Sequence, residues 1–313
     1  MIKHVQSPIL FLVFNRPEPA RKVFDAIRAA RPTRLYVAAD GPRADRELEP
    51  QLCSATRAVV ADVDWPCEVA TLFQNKNLGC KVAVSQAIDW FFENEQEGIV
   101  LEDDCLPNAS FFRFCDELLE RYRIDDRVGL ISGTNYQFGR TFGQSSYYFS
   151  RYPHIWGWAS WRRTWRHYDR EARQWPSFQR SGGLSDALGP GAPDARYWRD
   201  VFSRVYAGRI DTWDYQLTLA LWTRRMLSII PQTNLVTNIG FGTDATHTTL
   251  ATKFANMSTG NMEFPLRHPF TIAGMLDADA HTARQNFGRS LASRAVSRLS
   301  SLVSGAIHRM QRV

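Results

Sequence analysis

Three consecutive carboxylates at the end of an apolar run constrain this chain more than any other feature. In Gly98 to Pro107, GIVLEDDCLP, the residues Ile99, Val100 and Leu101 form a short hydrophobic stretch that Glu102, Asp103 and Asp104 follow directly. A continuous apolar run with helical sequence before it fits a parallel strand covered on both faces. In an open α/β sheet the ligand crevice lies outside the carboxyl ends of the strands, so these acids fall where a ligand would sit. Adjacent carboxylates repel one another unless a cation or a ring of donors holds them. A hard divalent ion, Mn²⁺ or Mg²⁺, takes oxygen ligands and commonly uses one or two carboxylates while substrate phosphates complete its shell. A solvated acidic turn with no ligand is the alternative.

The residues before this stretch alternate strand and helix. Pro8 to Phe14 reads as a buried strand closed by Asn15-Arg16-Pro17, and Glu18 to Ala30 carries Ala20, Val23, Phe24, Ile27 and Ala30 at helical spacing. Arg34 to Ala39 is a second strand ending in Asp40-Gly41-Pro42; a helix over about Glu47 to Val63 and a strand from Cys67 to Phe73 follow. Asn75-Lys76-Asn77-Leu78-Gly79 is a turn that opens a long helix, Cys80 to Glu93. Four strand and helix alternations in about 105 residues predict a doubly wound, mostly parallel sheet.

Beyond Pro107 the spacing predicts a helix over Phe111 to Arg123 and a strand over Val128 to Ser132. Tyr147 to Trp165 is dense in aromatics interleaved with Arg162 and Arg163, a pattern that more often marks hydrophobic core plus the wall of a carbohydrate site than a nucleic-acid stacking surface. Gly182 to Ala195 is rich in Gly, Pro, Ala and Asp and is expected to be a mobile loop. Arg196 to Ala207 reads as a helix, and Asp211-Thr212-Trp213-Asp214 opens another that runs to Arg225; Leu227 to Pro231 is a short strand, and Asn234 to His247 a polar loop. From Arg289 to Val313 an apolar stripe is flanked by arginines with no acid. It suits a helix lying on an anionic membrane surface, or a terminal helix docked on the protein.

Composition narrows the classes. A net charge of +6 and a pI near 9.2 permit anionic partners, and 44% hydrophobic residues with 22% charged ones fit a globular protein with a full core. Five cysteines without a CxxC pair indicate neither a zinc cluster nor a disulfide framework, so a cytoplasmic setting is expected, possible peripheral membrane contact aside. The apolar run at the start is short and lacks a small-residue cleavage site, which favours a first strand over a signal peptide.

The strands PILFLVFNRP and RLYVAADGP, the NKNLG helix start and LEDD at a strand end together resemble the nucleotide-sugar glycosyltransferases of the GT-A fold. The likeness is nearest to N-acetylglucosaminyltransferase I and to bacterial family 2-like glycosyltransferases. It spans roughly residues 7 to 250 and extends through Gly157-Trp158-Ala159-Ser160-Trp161 and Thr212-Trp213-Asp214. It implies a GT-A, Rossmann-like α/β fold with a mostly parallel central sheet and flanking helices. Residues 1–107 would form the nucleotide-sugar-binding half and 108–270 the acceptor half of one domain, with 271–313 as a basic tail. By position, Asp104 would bind Mn²⁺ or Mg²⁺, with His247 near the metal or diphosphate. Asp103 would face the ribose and Glu102 the donor sugar, while Arg16, Asp40 and Asn77 would hold the nucleotide. Asp214 would be the base, although a helix cap at that position is the simpler alternative. The implied partners are a UDP-sugar donor and a glycan or glycolipid acceptor of bacterial surface polysaccharide or lipopolysaccharide, with no nucleic acid. The rivals are a nucleotidyltransferase, which usually carries a Gly-rich basic loop where this chain has Asn15-Arg16-Pro17-Glu18-Pro19, and a non-catalytic carbohydrate- or nucleic-acid-binding protein.

Overall fold

A computed structural model describes residues 5–241 and 253–287. His247 and the tail from 289 to 313 lie outside the described residues. In chain order the first half runs β1 (Ile9–Val13), α1 (Pro17–Ala30), β2 (Arg34–Ala39), α2 (Glu49–Val59), β3 (Glu68–Phe73), α3 (Cys80–Asn94), β4 (Glu97–Glu102) and β5 (Cys105–Pro107). The second half runs α4 (Ala109–Arg121), β6 (Val128–Ser132), β7 (Tyr147–Ser150), β8 (Trp158–Trp161), α5 (Arg162–Trp165), α6 (Trp175–Arg180), α7 (Gly183–Leu188), α8 (Ala195–Tyr206), α9 (Asp214–Thr223), β9 (Leu227–Pro231), β10 (Val236–Asn238) and α10 (Leu276–Thr282). The chain folds as an α/β protein around an eight-stranded, mostly parallel, Rossmann-like sheet in the order β3-β2-β1-β4-β8-β6-β9-β7.

The apolar runs explain that sheet. Alternate residues of β1 point to opposite faces: Ile9, Phe11 and Val13 join the core under α1 and α4, whereas Leu10 and Leu12 join the one under α3 and α9. In β4, Ile99 and Leu101 face the first core and Val100 the second. Both faces are therefore covered, as continuous hydrophobic strands require. Strands β1 to β4 are mutually parallel where they pair, and β8 then enters antiparallel between β4 and β6. That reversal brings the segment just before β8 to the same edge of the sheet as the ends of β1, β2 and β4.

Local chemistry sets the helix ends. Pro17 sits in the first turn of α1, where its missing N–H costs nothing, and Arg31 closes the helix in the left-handed region at φ 51°. Asn108 caps α4 by accepting from the Ser110 and Phe111 amides at 3.0 and 3.2 Å. Helix α9 is buried on most sides, with Leu217 and Leu221 in the core shared with α3 and Leu219 and Trp222 in a third core with α6, α7 and α8.

One expectation needs correction. Gly182 to Ala195 is not a loose loop: α7 forms inside it because Leu184 and Leu188 are buried in the third core, and Asp194 accepts from the Tyr152 hydroxyl at 2.7 Å and the Trp198 indole at 3.0 Å. Composition signalled the turns at Gly182, Gly189 and Gly191, all at positive φ, but not the two leucines that anchor the helix between the first two. The aromatic belt is mainly core, one of the readings its composition allowed. Tyr147, Tyr148, Trp158, Trp161 and Trp165 are buried, and β7 and β8 run through it, short and without the alternation that marks a half-exposed strand.

Gly98 lies where β4 crosses α3. A Cβ there would collide with the Phe91 ring and stand 2.7 Å from the Pro8 carbonyl oxygen, so Gly98→Ala is expected to cost about 1–3 kcal/mol through overpacking, read as a lower urea midpoint. His154 is buried with no partner on Nε2, and burial drives its pKa down to about 3. The unfolded chain then binds a proton below about pH 6.5 that the folded one refuses. Stability is therefore full above that pH and lost progressively as pH falls toward 3. Between pH 7 and pH 4 the wild-type protein should lose on the order of 3 kcal/mol more than His154→Gln, measured by denaturant titration at each pH.

Candidate functional site

The carboxyl ends of β1, β2 and β4, the start of α3 and the segment before α9 enclose a cleft of about 790 Å³. Its floor is apolar and small-featured: Leu12, Ala38, Ala83, Val84 and Ala87 leave a slot between the sheet and α3. Its rim carries six carboxylates, Asp40, Glu102, Asp103, Asp104, Asp211 and Asp214, against the two guanidiniums of Arg16 and Arg43. That excess of negative charge favours a cationic guest or a protonated carboxyl.

β4 stops at Glu102, and a turn at Asp103 and Asp104 leads into β5, which pairs antiparallel with β10. The pairing carries the chain after β10 back over the acids, where the Ile239 amide donates to the Asp104 carbonyl at 2.8 Å. Asp103 is buried and accepts from the Phe14 amide at 3.1 Å. Burial, then the Asp104 charge, raises its pKa to about 7. Glu102 is pushed well above the usual carboxylate range by burial and by Asp104, Asp103 and Asp214. Asp104 pairs with Arg16 at 2.9 Å, and Gly240 packs over the pair; a Cβ at Gly240 would overlap Asp104 Oδ2 and lie 2.8 Å from the Arg16 guanidinium.

Arg16, Asp40, Asn77, Glu102, Asp103, Asp104 and Asp214 all line one cleft, because the ends of β1, β2 and β4 converge on the starts of α3 and α9.

Several of these residues are held in place by other groups of the protein. Arg16 is turned onto Asp104. Asp40 accepts from the amides of Gly41 at 2.8 Å, Leu78 at 2.9 Å and Gly79 at 3.2 Å, and from Asn77 Nδ2 at 2.9 Å. It therefore latches the end of β2 to the turn that starts α3, with its oxygens largely filled by the protein. Asn77 donates to Asp40 and to the Gly41 carbonyl, which leaves its amide oxygen for a ligand. Asp214 is the first residue of α9, and Trp213 takes the N-cap position, so Asp214 is not the cap. The Thr212 hydroxyl donates to Asp214.

Sequence reasoning missed Cys80, Arg43, Ile155 and Phe241 on the cleft wall. Cys80 is pushed up to about 12 by burial and by the charges of Glu102, Asp211, Asp214 and Asp40, and so stays a thiol. Arg43 is held by Glu49, whose carboxylate also accepts from Asn15, 34 residues earlier, a link that nothing in local sequence marks.

Among the described residues no group of three or more His, Cys, Asp or Glu side chains is arranged to hold a metal by itself. The donor set does fit a hard cation bound through one or two carboxylates, with phosphate oxygens completing the shell, because Arg16 offsets only one of three adjacent acids.

No protein-family model matches the sequence, and no curated protein matches it. The solved structure of HddC from Yersinia pseudotuberculosis is similar over 52% of this chain and 80% of that one, at 10% identity and a TM-score of 0.32. Likeness at that level carries no statement about activity.

Removing the Asp40 latch should loosen the turn before α3. Asp40→Ala is expected to lower stability by on the order of 3 kcal/mol and to speed amide exchange at Leu78 and Gly79, measured by hydrogen exchange; unchanged protection there would refute the latch.

Proposed function

We propose that the protein is a metal-dependent, inverting glycosyltransferase that moves a sugar from a UDP-sugar to a hydroxyl of a glycan or glycolipid, in the synthesis of bacterial surface polysaccharide or lipopolysaccharide. The observation that carries this reading is the placement of Asp214. It stands at the start of α9, yet shares the cleft of the strand-end acids and lies close enough to raise the pKa of Glu102.

The apolar slot between the sheet and α3 suits a planar base, and the acids at the end of β4 suit the diphosphate end of the donor through a cation. A divalent ion held by Asp104 and the diphosphate would neutralise charge on the leaving group. Asp214 takes the proton from the acceptor hydroxyl as its oxygen bonds to the anomeric carbon. The bond from that carbon to the diphosphate oxygen breaks on the opposite face, and a single displacement inverts the centre. Thr212 orients the Asp214 carboxylate through its hydroxyl.

A panel of sugar nucleotides with Mn²⁺, scored by thermal shift and then by turnover, tests the assignment. Asp214→Asn should keep UDP-sugar affinity and lose about 10²–10⁴-fold in turnover, whereas Asp104→Ala should lose both. Near-full turnover in Asp214→Asn would move the base elsewhere, with Asp211 the next carboxylate in the cleft.

A further inference from the structure

Consecutive residues fix the segment that carries Asp214, each to a different part of the fold. Trp213 is buried, and its ring stacks on Trp158 of β8 with centroids 5.9 Å apart. Thr212 donates to Asp214 through its hydroxyl, and its carbonyl accepts from Nε2 of the buried Gln216 at 2.7 Å. The same Nε2 donates to the Arg170 carbonyl at 3.1 Å, and Arg170 Nε reaches Ser85 Oγ on α3 at 2.6 Å. Asp211 meets α3 directly. Its Oδ1 accepts from the Lys81 amide at 3.1 Å, and its Oδ2 lies 3.1 Å from the place a Cβ would take on Gly79.

The start of α3 needs such a partner. Gly79 takes the N-cap position and has no side chain to meet the first amides of the helix, so a carboxylate from outside the helix accepts from Lys81. A negative charge there also faces the positive end of the helix. From the other side Asp40 takes the amides of Leu78 and Gly79. The end of β2 and the segment before α9 therefore meet on one helix start. We propose that Asp211 is a positioning residue: by docking on the first turn of α3 it sets where Asp214 stands relative to the slot between α3 and the sheet, an inference that rests on the glycosyltransferase reading. The role is distinct from that of a second base. An asparagine of the same shape accepts from the Lys81 amide as an aspartate does, whereas it takes no proton from a hydroxyl.

The test compares the full-length wild-type chain with Asp211→Ala and Asp211→Asn. It reads kcat and donor KM with Mn²⁺ and the sugar nucleotide that the wild-type protein turns over, UDP binding by calorimetry, and amide exchange at Lys81. Asp211→Ala should lower kcat by about 10-fold through misplacement of Asp214, while donor KM and UDP affinity stay within about twofold. Exchange at Lys81 should be faster by on the order of 10-fold. Asp211→Asn should bring kcat back to within about threefold of wild type and restore slow exchange. An Asn variant as slow as the Ala variant overturns the proposal by giving Asp211 a role in proton transfer. Unchanged kcat in Asp211→Ala, or a loss of UDP affinity as large as the loss of kcat, overturns it as well. If the wild-type protein turns over no sugar nucleotide, the donor reading fails and exchange decides the docking alone: fast in Ala with slow in Asn upholds it, and unchanged exchange in Ala overturns it.

Discussion

Three carboxylates cannot be carried into a water-poor strand end without compensation, and the construction of the cleft answers that demand. Arg16 supplies one counter-charge at 2.9 Å, the Phe14 amide supplies a donor to Asp103, and the remaining charge is suppressed by raised pKa values at Glu102 and Asp103. Each compensating group comes from the loop after β1, so the first strand and the fourth must lie side by side and in parallel, as they do. Gly240 completes the arrangement because only a residue without a Cβ fits over the ion pair.

The parallel half was legible because its strands are continuous apolar runs. β1, β2, β4, β6 and β9 fall where those runs predict them, within a residue or two at their ends. β3 begins at Glu68 rather than Cys67 and α2 is shorter than expected, since the ends of elements depend on caps and contacts more than on periodicity. β7, β8 and β10 were hidden for a different reason. Each has three or four residues, and in β7 and β8 every residue is buried, which erases the alternation that betrays a strand.

The candidate site was legible in its members but not in their bonds. Strand ends and a helix start placed seven of the named residues on one cleft, because topology alone gathers them. What sequence could not give is which partner each side chain takes. Asp40 turns to the amides 38 and 39 residues downstream, and Arg16 to a carboxylate 88 residues away, choices decided by packing rather than by residue type.

The antiparallel entry of β8 has a consequence for how such a protein can diversify. The strand-end acids, the apolar slot and the latch come from residues 12–104, whereas Ile155, Trp156, Asp211, Asp214 and Phe241 reach the same cleft from the second half of the chain. Substitutions among the second group can reshape what the cleft receives while the contacts that hold the strand-end acids in place are left intact.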